Sequence, residues 1–158
     1  MLKTLNNKPI DNLSMAILQE LCNNARTTTV EIGRRVGLTA PAIAERINKL
    51  EEAGYIKGYH AELDLDKLGL TIQAFISFKC SNKGYDSKKL IAAIPEVAEW
   101  YTVTGNISML LKVITHSREQ LSKIIAQLEQ YGETNTSLIL EASSEMNVLK
   151  KLHVEEPV

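Results

Sequence analysis

Residues Thr28–Leu63, TTVEIGRRVGLTAPAIAERINKLEEAGYIKGYHAEL, decide how this chain folds. They read as two short amphipathic helices joined by a tight turn, followed by a basic, turn-ended segment. Thr28 and Glu31 stand in the S/T-x-x-E relation, in which each side chain satisfies a free backbone N–H. Ile32 and Val36 form the buried stripe of the first helix, and Gly33 is small enough to let the next helix approach. Gly37 supplies the turn, since a residue without Cβ tolerates positive φ. Thr39 then caps a second helix whose first turn holds Pro41, where a missing N–H costs nothing. This is the layout of a helix-turn-helix, the unit that lays its second helix in a DNA major groove.

The second helix sorts by face. Ile43, Ile47 and Leu50 recur at i, i+4, i+7 and are core positions. Opposite them the reading places Ala40, Pro41, Ala42, Glu45, Arg46 and Lys49. Small residues in the first turn let the backbone descend into a groove, where Ala or Pro carbon touches a thymine methyl. Arg46 can fork onto guanine O6/N7 or a phosphate, Glu45 can accept from cytosine, and Lys49 suits a phosphate. With Thr28 and Thr39 at the two helix starts, these residues form the candidate interface for double-stranded DNA. A plain solvated helix face has the same composition. The sequence of cap, Gly turn, Pro-started helix and Gly54-Tyr55-Ile56 favours the DNA reading.

The 158 residues suit one large or two small domains, and 44% hydrophobic content fills a core. No run reaches the roughly 18 apolar residues of a membrane span, and the first residues lack a secretory h-region. A cytoplasmic, nucleoid-associated protein with no membrane contact is expected. Cys22 and Cys80 fall in different predicted domains without metal-ligand spacing, so reduced thiols are expected, with no metal and no cofactor. The formal net charge is −1, but residues 1–60 hold 8 Lys/Arg and 6 Asp/Glu, a balance of +2, against −3 for the remainder. The asymmetry has the sign of a nucleic-acid binder and is small. DNA affinity of a monomer is therefore expected to be weak and salt-sensitive, and an assembly multiplies the contacts.

Ahead of the motif, a helix from an Asp11 cap to Cys22 carries the stripe Leu13, Ile17, Leu18 and Leu21. Tyr55–Leu63 reads as a short strand or wing, and residues 64–71 as a hinge. The period then changes. Ile72–Cys80 alternates as a strand, Ser87–Ile94 is a short helix closed by Pro95, and Val97–Thr104 and Ser108–Ile114 are strands joined by Gly105-Asn106-Ile107. Ser117-x-x-Gln120 caps a helix with the stripe Leu121, Ile124, Ile125 and Leu128. Thr136–Leu140 is the last strand, and a tail helix is expected around Met146, Leu149 and Leu152. The chain thus reads as α+β: a helix-turn-helix, winged-helix-like domain over residues 1–63, and a ferredoxin-like βαββαβ sandwich over residues 72–158.

These blocks resemble the Lrp/AsnC (leucine-responsive/asparagine-responsive, feast/famine) regulators over roughly Ile10 to Leu149. Ile10-Asp11, Ile17-Leu18, Ala25-Arg26, Glu31-Ile32, Val36-Gly37-Leu38-Thr39, Arg46-Ile47, Leu50-Glu51-x-x-Gly54-x-Ile56-x-Gly58-Tyr59, Leu68-Gly69 and Thr104-Gly105 carry the similarity. The resemblance implies a transcriptional regulator, not an enzyme, with a helix-turn-helix domain and a ferredoxin-like domain that senses amino acids. It also implies dimers that assemble to octamers. Members of this family usually carry Gly-Asp/Glu-x-Asp at the turn between the second and third sandwich strands, where a small amino acid binds between subunits. Here the turn is Gly105-Asn106-Ile107-Ser108, without either acid. Ser14 likewise replaces an acid common in the first helix, which is read as affecting helix-end packing.

The candidate effector site is therefore Thr102, Thr104, Gly105, Asn106, Ile107, Ser108 and Met109. Gly105 permits backbone approach, and the Thr, Asn and Ser side chains cluster hydrogen-bonding groups. A β-turn with polar decoration looks the same. The missing carboxylates point to weaker amino-acid binding, another effector, or none, so an effector-independent DNA-organising protein stays open. The sirohaem decarboxylases share the two-domain plan but place histidines at this turn; here His60, His116 and His153 lie elsewhere. Trp100 and Tyr101 are expected on opposite faces of their strand, one toward the helices and one toward a subunit interface.

Overall fold

A computed structural model describes residues 10–81 and 86–142. Its described residues up to Glu62 form one compact unit, and those from Leu63 onward a second.

In the first unit, α1 (Asn12–Asn23), α2 (Thr29–Val36) and α3 (Ala40–Glu52) enclose a small core. Asp11 caps α1, its carboxylate accepting from the Ser14 N–H at 2.7 Å. The expected capping box at α2 is complete: the Thr28 hydroxyl takes the Glu31 N–H at 3.2 Å, and Glu31 reaches back to the Thr28 N–H at 2.9 Å. Ile17, Leu21, Ile32, Ile43 and Leu50 are the buried centre, with Val36 and Ile47 packed against it. The Gly33 expectation shifts by one neighbour. A Cβ there would lie 2.4 Å from the Leu38 carbonyl oxygen, so the turn itself, not the next helix, makes the closest approach.

The expected wing is not a strand; residues 55–64 carry no β ladder. A lone extended segment has no partner row of N–H and C=O groups to pair with. It folds back on α3 instead. The Tyr55 and Ile56 N–H groups donate to the Leu50 carbonyl, and the Tyr59 hydroxyl donates to Glu51 at 2.8 Å. Ile56 packs against the helical core.

The second unit is an antiparallel four-stranded sheet in the order β2-β3-β1-β4, with β1 (Ile72–Cys80), β2 (Val97–Thr102), β3 (Met109–Thr115) and β4 (Gly132–Leu138). Helices α4 (Ser87–Ala92) and α5 (Arg118–Glu129) fall between strands as the ferredoxin-like order requires. Alternation along β1 sends Ala74, Ile76 and Phe78 into a core with Met109, Leu111 and Val113, covered by Leu90, Ile91, Leu121, Ile124 and Leu128. The other sheet face carries Phe75 and Tyr101, both exposed, beside the Glu99–Lys112 ion pair. Ser117 caps α5 through the Gln120 N–H, as expected. Trp100 and Tyr101 do point oppositely: the Lys88 ammonium lies 6.0 Å from the Trp100 ring, while the Tyr101 hydroxyl donates to Glu99.

The last strand is displaced from its expected position. It spans Gly132–Leu138, not Thr136–Leu140, because it pairs with β1 from Cys80↔Gly132 to Ala74↔Leu138. A polar strand is thus held by the backbone ladder of its neighbour. Leu140, expected inside it, is 95% exposed. Gly132 is required by closeness: a Cβ there would lie 2.1 Å from the Lys79 carbonyl oxygen. The expected tail helix lies outside the described residues.

Candidate nucleic-acid interface

At about 100° per residue, the crest of α3 opposite Ile43, Ile47 and Leu50 is Pro41, Glu45, Asn48 and Glu52. All four are exposed. Ala42 and Lys49 lie on one side of that crest, and Glu45 pairs with Lys49 at 2.6 Å. That neighbouring ammonium lowers the Glu45 carboxyl below its ordinary range. Asn48 was missed by the sequence reading, which looked for charge and for small first-turn residues. Its signal was the same i, i+3 geometry that places Glu45.

Three expected contacts are differently occupied. Thr39 stands at the N-cap of α3, but its side chain makes no cap hydrogen bond, so its exposed hydroxyl is not spent on the helix. Thr28 is spent: its hydroxyl also donates to Glu31 Oε2 at 2.8 Å. Arg46, expected opposite the core and free to fork onto a base or phosphate, turns toward α1. Its Nη1 donates to Asp11 Oδ2 at 2.7 Å and lies 3.1 Å from Ser14 Oγ. The reason is its place on the helix, on the flank about a fifth of a turn from the centre of the core stripe. The Arg46 guanidinium, with the Ser14 N–H, holds the Asp11 carboxyl down at about 2, from an ordinary 3.8. A depressed carboxyl stabilises the fold above its ordinary value, and the contribution is lost as pH falls from about 3.8 through about 2. Asp11 is therefore ionised at neutral pH.

In the second unit the turn between β2 and β3 runs from Val103 to Ser108, with Gly105 at φ 113°. Thr102, Thr104, Gly105 and Asn106 are exposed and Ile107 is half-buried. Ser108 is tied to β1: its N–H donates to the Phe78 carbonyl at 2.9 Å, and its hydroxyl accepts from the Cys80 N–H at 3.3 Å. Met109 does not join the expected cluster. Its side chain is 2% exposed in the sheet–helix core, because it opens β3 on the helix-covered face opposite Thr102. Of the histidines, His116 contacts the Gly69 carbonyl at 3.0 Å, away from this turn. Among the described residues no His/Cys/Asp/Glu group is arranged to hold a metal ion, and no helix is long and apolar enough to cross a membrane.

Comparison with known proteins agrees with both halves. Residues 10–57 match the winged helix-turn-helix DNA-binding model, and residues 73–149 the Lrp/AsnC ligand binding domain model. The chain is 38% identical to the HTH-type transcriptional regulator LrpB of Bacillus subtilis, over 78% of this chain and 83% of that one. Among solved structures it is similar to B. subtilis LrpC, with TM-score 0.80 and 29% identity over 87% of this chain and 99% of that one. It is also similar to a Neisseria meningitidis transcriptional regulator in complex with L-Met, with TM-score 0.76 and 28% identity over 84% and 91%. The helix-turn-helix unit, the ferredoxin-like unit and these relatives together show that the chain belongs to the Lrp/AsnC family of transcriptional regulators.

Proposed function

We propose that this regulator reads double-stranded DNA with the crest of α3 and responds, as an oligomer, to a small amino-acid-like effector at the Thr102–Ser108 turn. One observation carries the reading of α3: its exposed crest runs directly from an N-cap whose hydroxyl is left free. Thr39 and the first-turn N–H groups, apart from the one Pro41 lacks, suit a phosphate. Ala40, Pro41 and Ala42 keep the first turn slim, so Glu45, Asn48 and Lys49 can reach the groove. The Asn48 amide matches the N6/N7 edge of adenine. Self-association is supported by the open sheet face, where Phe75 and Tyr101 are exposed around Leu110 and Ile114. A dimer assembling to an octamer would supply the contacts that a charge of −1 cannot.

An effector would act by binding one assembly state better than another and shifting its population. The relative with bound L-Met supports an amino acid as that effector. A second reading, DNA organisation without an effector, is favoured by the turn itself. It offers no carboxylate to an ammonium group, and Ser108 is already engaged with Cys80.

Gel retardation of a duplex selected by the protein from a random library tests the DNA reading. Retention at low salt, weakening steeply as salt rises, is the expected result. No retardation of any duplex would overturn it. Asn48→Ala is expected to cost about 1–3 kcal/mol at one base position and to relax an adenine preference there. A thermal-shift screen across the amino acids at millimolar concentration separates the two effector readings. A ligand that binds only the folded state raises the melting temperature. No shift with any amino acid sinks the effector.

A further inference from the structure

We propose that Arg46 reads neither base nor phosphate and is a positioning residue, clamping the recognition helix α3 to the start of α1 through Asp11 and Ser14. The inference rests on α3 being the reading helix. Three contacts close the clamp. Asp11 uses one carboxylate oxygen to cap α1 through the Ser14 N–H, at 2.7 Å. Its other oxygen takes Arg46 Nη1 at 2.7 Å, and the same nitrogen reaches the Ser14 hydroxyl at 3.1 Å. One guanidinium thus bridges the cap and the first turn of α1 across 35 residues of sequence.

Placement agrees with this. Arg46 lines a groove of about 540 Å³ between the start of α1 and the flank of α3, with Ile10, Asp11, Ser14 and Tyr55 along it. Its side chain is 31% exposed, against 69% for Lys49, which lies nearer the crest. A part-exposed ion pair contributes little to global stability. Its consequence is directional: one Nη1 shared by two acceptors at the start of α1 ties the flank of α3 to that helix and limits rotation of α3 about its own axis. A small rotation moves Glu45 and Asn48 relative to the bases, and side chains off productive geometry by about 1 Å lose most of a directional contact.

The test compares Asp11→Asn, Arg46→Gln, Arg46→Lys and the Asp11→Asn/Arg46→Gln double variant in the full chain. The probes are the selected duplex and a scrambled duplex, over a range of salt. Asparagine is as good a cap as aspartate, so Asp11→Asn removes only the partner of Arg46. Asp11→Asn and Arg46→Gln are each expected to weaken the selected duplex roughly ten-fold. The double variant should be no worse than either, the mark of one shared interaction. Scrambled-duplex binding and the salt slope should stay unchanged, and Arg46→Lys should recover only part of the loss.

Other results overturn the clamp. One is a salt slope reduced by about one ion in Arg46→Gln, with full rescue by lysine, which makes Arg46 a phosphate contact. Another is lost discrimination at a single base pair, with Asp11→Asn neutral or tighter-binding, which makes it a reader. A third is loss of binding that follows melting of the helices below the assay temperature, which reduces the effect to stability. Failure of the reading assigned to α3 shows separately, as Glu45→Ala and Asn48→Ala leaving the wild-type base preference intact.

Discussion

Ile17→Ala is expected to abolish operator binding at physiological temperature while the sheet domain stays folded. Ile17 is fully buried in a helical core whose other buried members are Leu21, Ile32, Ile43 and Leu50. Truncating a buried isoleucine costs about 2–5 kcal/mol, the transfer free energy of the lost carbons plus the cavity left behind. A three-helix unit buries a smaller share of its surface than a large domain, so its margin lies toward the low end of the usual roughly 5–15 kcal/mol. Ile17 lies on α1, off the crest of α3, so the loss comes from unfolding and not from a missing DNA contact. Denaturant titration separates the two units. Trp100 is the chain's single tryptophan and sits on β2, so its fluorescence follows the sheet, while far-UV dichroism weights the helices. The expected result is an early helical transition with the Trp100 transition unmoved. A single transition, shifted equally in both signals, would contradict two separate cores.

Phe78→Ala is expected to have the complementary effect, costing about 3–5 kcal/mol in the sheet unit. Phe78 is fully buried on β1, an interior strand, between Met109 of β3 and Thr134 of β4. Its removal leaves a cavity in the sheet–helix core, and the backbone ladders on both sides of β1 keep that cavity from collapsing. Its carbonyl also accepts from the Ser108 N–H at the end of the candidate effector turn. Any melting-temperature response to an amino acid should therefore disappear together with the early loss of the Trp100 signal. A Trp100 midpoint displaced by less than about 1 kcal/mol would show that Phe78 is not central to this core.

What could be read in the chain depended on how far apart the deciding groups lie. The Asp11, Thr28 and Ser117 caps each bond the N–H three positions on; Thr28 and Ser117 are legible from their x-x-Glu/Gln spacing, and Asp11 from its residue type ahead of an apolar stripe. The alternation along β1 was equally plain, because period 2 marks which side chains meet a covered face. Thr39 has the residue type and position of a cap, yet its hydroxyl is unused by α3, since residue type permits a rotamer without choosing it. The β4 bounds were misread because Ser137-Leu138-Ile139-Leu140 looks like a strand by composition. The ladder with β1 recruits Gly132–Thr136 regardless of their polarity.

The candidate sites divide the same way. Glu45 and Asn48 sit on the α3 crest by helical arithmetic, and that arithmetic is in the sequence. Arg46 and Met109 have surroundings that local spacing does not show, because those come from distant segments. Asp11, 35 residues earlier, takes the Arg46 guanidinium. The pairing of Thr102 with Met109 turns the methionine into the core. Most of the elements, the Asp11, Thr28 and Ser117 caps and the order of the two domains were legible in the chain, since those rest on backbone groups and periodicities within a few residues. Which charged side chains are already paired and which turn residues face solvent follow from the packed fold, because a side chain's availability depends on every neighbour the fold brings to it.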